Sequence, residues 1–65
     1  MIVNRINEIL DEQNKTIYWL AQQTGIRYNT IHSLVNNKTE SVKFDILDKI
    51  CDILECDISE IFRKI

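Results

Sequence analysis

The chain of 65 residues has no proline, one glycine, one histidine and two cysteines. It also has no apolar run near the roughly 18 residues needed to cross a bilayer. Without proline, and with Gly25 as the only glycine, there is no linker of disordered composition. Element boundaries must therefore come from capping residues and periodicity. A lone His32 has no histidine partner for a metal site, and Cys51 and Cys56 have no second pair to complete a zinc set. Both thiols are expected to be reduced, because side chains five apart on a helix point in different directions. No nucleophile–base pair is evident, so neither enzyme activity nor a cofactor is expected. Met1-Ile2-Val3-Asn4-Arg5 is not a basic stretch followed by an apolar one. No secretory leader and no membrane association are expected, and the cytoplasm is the expected location. A chain this short buries only about 60% of the surface its unfolded form exposes, which predicts one domain with a thin stability margin.

The net charge of −2 by itself argues against a polyanionic partner. Its distribution argues the other way. Gln13 to Thr39 contains no acid and carries +3 from Lys15, Arg27 and Lys38, while Met1 to Glu12 carries −2 and Glu40 to Ile65 carries −3. Such a chain can present a local positive potential within an acidic whole.

Apolar periodicity predicts five helices. Ile2, Ile6, Ile9 and Leu10 form the stripe of a first helix running to Glu12 or Gln13. Thr16 is a good N-cap for a second helix, with Ile17, Leu20 and Ala21 inward and its end at Thr24. Gly25 stands where a helix end needs a left-handed residue. A third helix from Tyr28 to Asn36 turns Ile31, Leu34 and Val35 inward, and Asn37 is the candidate left-handed cap. A loop from Thr39 to Val42 precedes a fourth helix holding Phe44, Leu47, Ile50, Cys51 and Leu54. Glu55-Cys56-Asp57 breaks it, and Asp57 caps a short fifth helix with Ile58, Ile61 and Phe62. No segment alternates with period two for long enough to predict a strand, so the expected fold is all-α. Trp19 is expected to fill a gap between the first and fourth helices. Asp45, Asp48, Asp52 and Glu55 lack the loop and glycine of a calcium-binding hand and are expected to form a solubilising face.

The restrictive pattern is Ala21, Gly25 four residues on, then Ile31 and Leu34, because two helices crossing over a short turn need a small contact residue and a left-handed turn. Here Leu20-Ala21-Gln22-Gln23-Thr24-Gly25-Ile26 and Tyr28-Asn29-Thr30-Ile31-His32-Ser33-Leu34 resemble the helix-turn-helix of the lambda-repressor and Cro-like, or XRE-like, family. Phe44 to Cys51, with Leu54, Ile58 and Ile61, is similar to that family's fourth and fifth helices. The resemblance implies a compact five-helix lambda-repressor-like DNA-binding domain over residues 1–65, with its helix-turn-helix unit at residues 17–36.

It further implies that the third helix lies in the major groove of double-stranded DNA. Arg27, Tyr28, Asn29, His32, Ser33 and Asn36 are the outward residues that would meet base edges, Arg27 at guanine or phosphate and Asn29 or Asn36 at adenine. Phosphate contacts are expected from Thr16, Gln22 and Lys38, with Lys15 and Lys43 weaker candidates. Arg27 stands where the family usually has a capping serine, and Asn37 where it usually has glycine. Basic residues are few, so a homodimer is expected, and its candidate surface is Ile61, Phe62 and Ile65. The expected function is a sequence-specific transcriptional regulator of the repressor type. The rival is an antitoxin or antirepressor that keeps the fold to bind a protein, favoured by the acidic fourth and fifth helices.

Overall fold

In the computed structural model, which describes residues 1–39 and 41–65, the elements run β1 (Ile2–Asn4), α1 (Ile6–Glu12), α2 (Ile17–Thr24), α3 (Tyr28–Val35), α4 (Phe44–Leu54), α5 (Ile58–Ile61) and β2 (Phe62–Lys64). The five expected helices are present. The expectation of an all-α fold is corrected by the two strands, which pair antiparallel with Ile2 opposite Lys64, Val3 opposite Arg63 and Asn4 opposite Phe62. Arg5 N–H donates to Ile61 O at 2.6 Å and Ile65 N–H to Met1 O at 2.8 Å, so the ladder extends past both strands. The β-branched Ile2 and Val3 suit a pleated strand. Asn4 ends it by accepting the Ile6 N–H on Oδ1 at 3.2 Å, which starts α1. Ile2 therefore leaves the stripe assigned to it and is exposed, while Ile6, Ile9 and Leu10 are buried. Likewise α5 stops at Ile61, and Phe62 passes into β2.

Every helix contributes one to three buried residues to the core. Ile6, Leu10, Leu20, Ile31, Ile50, Leu54 and Ile61 are fully buried, each contributing about 1.5–3 kcal/mol through removal from water. Ile61, assigned above to a dimer surface, completes this core instead because α5 turns it inward. Trp19 is half-buried against the core, and Lys15 Nζ lies 4.8 Å from its ring centroid. Ser41 and Val42 lie between helices as expected, while Glu40 in that predicted loop falls outside the described residues.

Helix ends follow the capping chemistry. Thr16 Oγ1 accepts the Trp19 N–H at 3.0 Å. Asn37 has φ 58°, its N–H reaches Leu34 O at 3.0 Å and the Lys38 N–H reaches Ser33 O at 2.9 Å. That pair of bonds is the Schellman closure of a helix, with asparagine in the position glycine usually fills.

Glu8 joins α1 to both chain ends, accepting from Arg5 Nε at 2.9 Å and Arg63 Nη2 at 2.8 Å. Those hydrogen bonds hold its carboxyl below the ordinary 4.5. Asp57, bonded by Ser59, is lowered in the same way. A depressed folded pKa gives stability that is complete above the ordinary value and lost as pH falls through the folded one. The melting temperature is therefore expected to fall between about pH 5 and pH 3, with Glu8→Gln flattening part of that slope and Asp57 supplying the rest. Identical slopes for Glu8→Gln and the parent in a pH series of thermal melts would contradict this.

Candidate nucleic-acid interface

The turn between α2 and α3 is built by three residues. Ala21 is buried where α2 packs on α3, and its methyl lets the backbones approach. Thr24 is buried too, and its hydroxyl donates to Leu20 O at 2.8 Å while Oγ1 accepts the Ile26 N–H at 3.3 Å. Gly25 then reverses the chain at φ 72°, its N–H bonded to Ala21 O at 3.0 Å. A Cβ on Gly25 would meet nothing within 4 Å, so substitution there is opposed by backbone conformation alone. Gly25→Ala is expected to cost about 1–2 kcal/mol in urea unfolding, and Gly25→Asn less, since asparagine visits the left-handed region more readily. Equal costs for the two would point to a steric cause.

With the turn fixed, α3 buries Ile31, Leu34 and Val35 against the core. Residues three and four apart share a helix face, so Asn29, His32, Ser33 and Asn36 form one row on the opposite side. Asn29 and Asn36 are exposed, His32 and Ser33 half-buried. Tyr28 and His32 pack together with ring centroids 5.7 Å apart, which steadies both at the start of the row. Asn36 is partly committed, its Nδ2 donating to His32 O at 2.8 Å. The Asn29 amide has no hydrogen bond among the described residues and keeps its full donor–acceptor edge. Arg27 caps α3 through backbone geometry without a side-chain bond, leaving its guanidinium exposed.

The three residues expected at phosphates lie off this row. Thr16 is the N-cap of α2 and Gln22 lies within that helix. The Thr16 oxygen is occupied as a cap, with its hydroxyl hydrogen still able to donate. Gln22 Nε2 donates to the Tyr18 hydroxyl at 3.0 Å. Lys38 follows the α3 cap and is exposed. Among the described residues Arg27 and Lys38 make no ion pair; the pairs that form hold Arg5 and Arg63 on Glu8. Among the described residues the cations of the acid-free segment are thus unpaired, while α4 carries its carboxylates Asp45, Asp48 and Asp52 on exposed positions.

Sequence reasoning missed several residues here. Tyr18 is 61% exposed and shares a face with Gln22, a pairing the four-residue spacing could have revealed. Thr30, Thr39 and Ser41 line one groove beside α3 together with Lys43, which was expected as a weaker phosphate contact, and the hydroxyl-rich approach to α4 was the only signal of the other three. Cys51 and Cys56 are free thiols pushed above their ordinary range, by burial first and then by acidic neighbours such as Asp57. Among the described residues no group of three or more histidines, cysteines or carboxylates could hold a metal ion, and no helix is long and apolar enough to cross a membrane.

Comparison with known proteins agrees with this geometry. The profile of the Cro/C1-type HTH DNA-binding domain matches residues 5–65. No curated protein sequence matches the chain. Among solved structures, the crystal structure of a presumed DNA-binding protein from Bacteroides fragilis is similar at 35% identity and a TM-score of 0.85, covering 97% of this chain and 100% of that one.

Proposed function

Because the chain belongs to the Cro/C1-type helix-turn-helix DNA-binding family, we infer that it is a sequence-specific transcriptional regulator of the repressor type that lays α3 in the major groove. The observation that carries this reading is the polar row on α3. Its Asn29 edge is uncommitted, and it stands opposite a fully buried face within a segment that holds cations and no acid. Asn29 offers adenine a bidentate partner, Arg27 offers the same to guanine, and Tyr28, His32, Ser33 and Asn36 complete the surface presented to base edges. Thr16, Gln22 and Lys38 set the register on phosphates, with the Tyr18 hydroxyl beside Gln22 as a further donor. A protein of this kind works in the cytoplasm, as a binding protein and not as an enzyme.

Two copies act together on one operator. A single copy presents one α3, while successive major grooves on one face of the duplex are roughly 34 Å apart, so reading two half-sites takes two copies. With so few cations each half-site contact is weak, and pairing them multiplies affinity. The test is selection of a bound duplex from a random pool, followed by titration at several salt concentrations. A two-fold sequence with affinity falling steeply as salt rises is expected. Failure to enrich any sequence, or affinity indifferent to salt, would overturn the reading.

A further inference from the structure

The fourth helix carries an apolar residue that the core does not use. Apolar spacing groups Phe44 with Leu47, Ile50 and Leu54, yet Phe44 is 86% exposed while those three are buried. One exposed aromatic is ordinary on a small protein. Phe44, however, borders a groove of about 520 Å³ between α4, α5 and β2. Leu47, Cys51 and Phe62 are among its lining, and Ile58, 45% exposed, borders it from α5. Apolar surface gathered in one place and left open by the fold is what a partner covers.

The same groove is acidic. Phe44, Asp48 and Asp52 follow one another at four-residue steps and form a single row along α4, and Asp57, the cap of α5, lines the groove with them. Asp48 and Asp52 make no ion pair among the described residues. Asp52 stands in the last turn of α4, where the negative end of the helix dipole opposes a carboxylate and no basic residue offsets it. Helix stability alone thus disfavours an acid at that position. The row spans about 12 Å at about 1.5 Å per residue, longer than one small cation can bridge.

We propose that this groove binds a short basic segment of another protein, which seats a large apolar side chain beside Phe44 and Phe62 and sets lysines or arginines against Asp48, Asp52 and Asp57. Charge complementarity chooses this occupant. The carboxylates repel the phosphates of a duplex. A second copy meeting the groove face to face would set the same three aspartates against themselves, since a two-fold contact is self-complementary. A basic segment gains from both parts of the site: its anchor leaves water, and its cations meet the carboxylates of the rim. None of the lining residues belongs to α2 or α3, so the groove can be filled while α3 lies on DNA, and the proposal stands whether or not α3 reads DNA.

The probe is a library of short random peptides displayed on phage, selected against the full chain and counter-selected against the Asp48→Lys, Asp52→Lys double variant. Peptides that combine a tryptophan, phenylalanine or leucine with several lysines or arginines are expected to enrich. A dye-labelled synthetic copy of the most enriched peptide is then titrated by fluorescence anisotropy. Phe44→Ser and the double lysine variant are each expected to weaken its binding by about tenfold or more. Both change exposed positions, so the circular dichroism spectrum should be unchanged. Asp52→Lys alone, which puts a cation at the negative end of α4, should hold or raise the melting temperature, as a residue kept for structure would not. Affinity for a selected duplex is expected to match the parent's. No enrichment, enriched peptides without basic residues, or binding indifferent to both variants would overturn the proposal. So would displacement of the peptide by tryptophanamide at matched affinity, which assigns the groove to a small cation, or a dimer that Phe44→Ser dissociates, which assigns it to a second copy. A chain that binds the basic peptide but no duplex keeps the groove and removes DNA reading; the reverse result removes the groove alone.

Discussion

Replacing Asn29 and Ser33 together by alanine is expected to lower affinity for a selected duplex by about a hundredfold or more, since a good bidentate contact is worth about 1–3 kcal/mol of base discrimination. The two side chains sit one turn apart on the outward row of α3, and the Asn29 amide is uncommitted in the free protein. Removing them touches nothing in the core, because Ile31, Leu34 and Val35 hold the other face. Alanine is also the better helix former, so the melting temperature should hold or rise slightly. The loss of binding is then separable from any loss of folding. Asn36→Ala is expected to cost less, since that amide already donates to His32 O. Neither Asn29 nor Ser33 is charged, so the salt slope should stay put, whereas Lys38→Ala should reduce it by about one. Fluorescence anisotropy with the selected duplex and a scrambled one measures all of these. Unchanged affinity in the double variant would place recognition somewhere other than α3.

What was legible in the sequence was local. As caps, Thr16, Gly25, Asn37 and Asp57 each act within a few residues of themselves, and each caps in the structure as its chemistry predicts. The apolar spacing of the helices reads out for the same reason, since a helix closes its bonds within four residues. The sheet was illegible because its strands have three residues each and are joined from opposite ends of the chain. A period of two has no room to appear in three residues, and the Ile2 to Ile6 step happens to match a helix. Ile61 was misplaced by the same gap, for without β2 nothing required α5 to turn inward. The end of α4 was read as a break of unknown kind; Glu55 takes it in the left-handed region at φ 56°, where neither glycine nor asparagine marked the turn. The α3 row was legible as exposed, but not which amides were free, because hydrogen bonds such as that from Asn36 to His32 O decide it.

The least legible contact is the one expected to matter most for stability. Asn4→Ala is expected to lower the unfolding free energy by about 2–4 kcal/mol, at about 0.5–1.5 kcal/mol for each side-chain hydrogen bond lost. Asn4 Oδ1 accepts the Ile6 N–H at 3.2 Å, and Nδ2 donates to Leu34 O at 2.6 Å and Asn37 Oδ1 at 3.1 Å. One side chain thus starts α1, ends β1 and fastens the end of α3 to the sheet. A small chain has a total stability toward the low end of about 5–15 kcal/mol, so the loss should shift the melting temperature by about 10–25 °C. Asn4→Asp should be at least as damaging, since it keeps the acceptor but sets a carboxylate against the oxygens of Leu34 and Asn37. Asn37→Gly separates the two roles of its position: it relieves the left-handed backbone but gives up the clamp, and should fall between Asn4→Ala and the parent chain. Amide exchange in the last turn of α3 should quicken in Asn4→Ala more than in α2, because the clamp acts on Leu34 and Asn37. A melting temperature within a degree or so of the parent, or exchange that quickens evenly across all helices, would mean that α3 is held by its buried face alone.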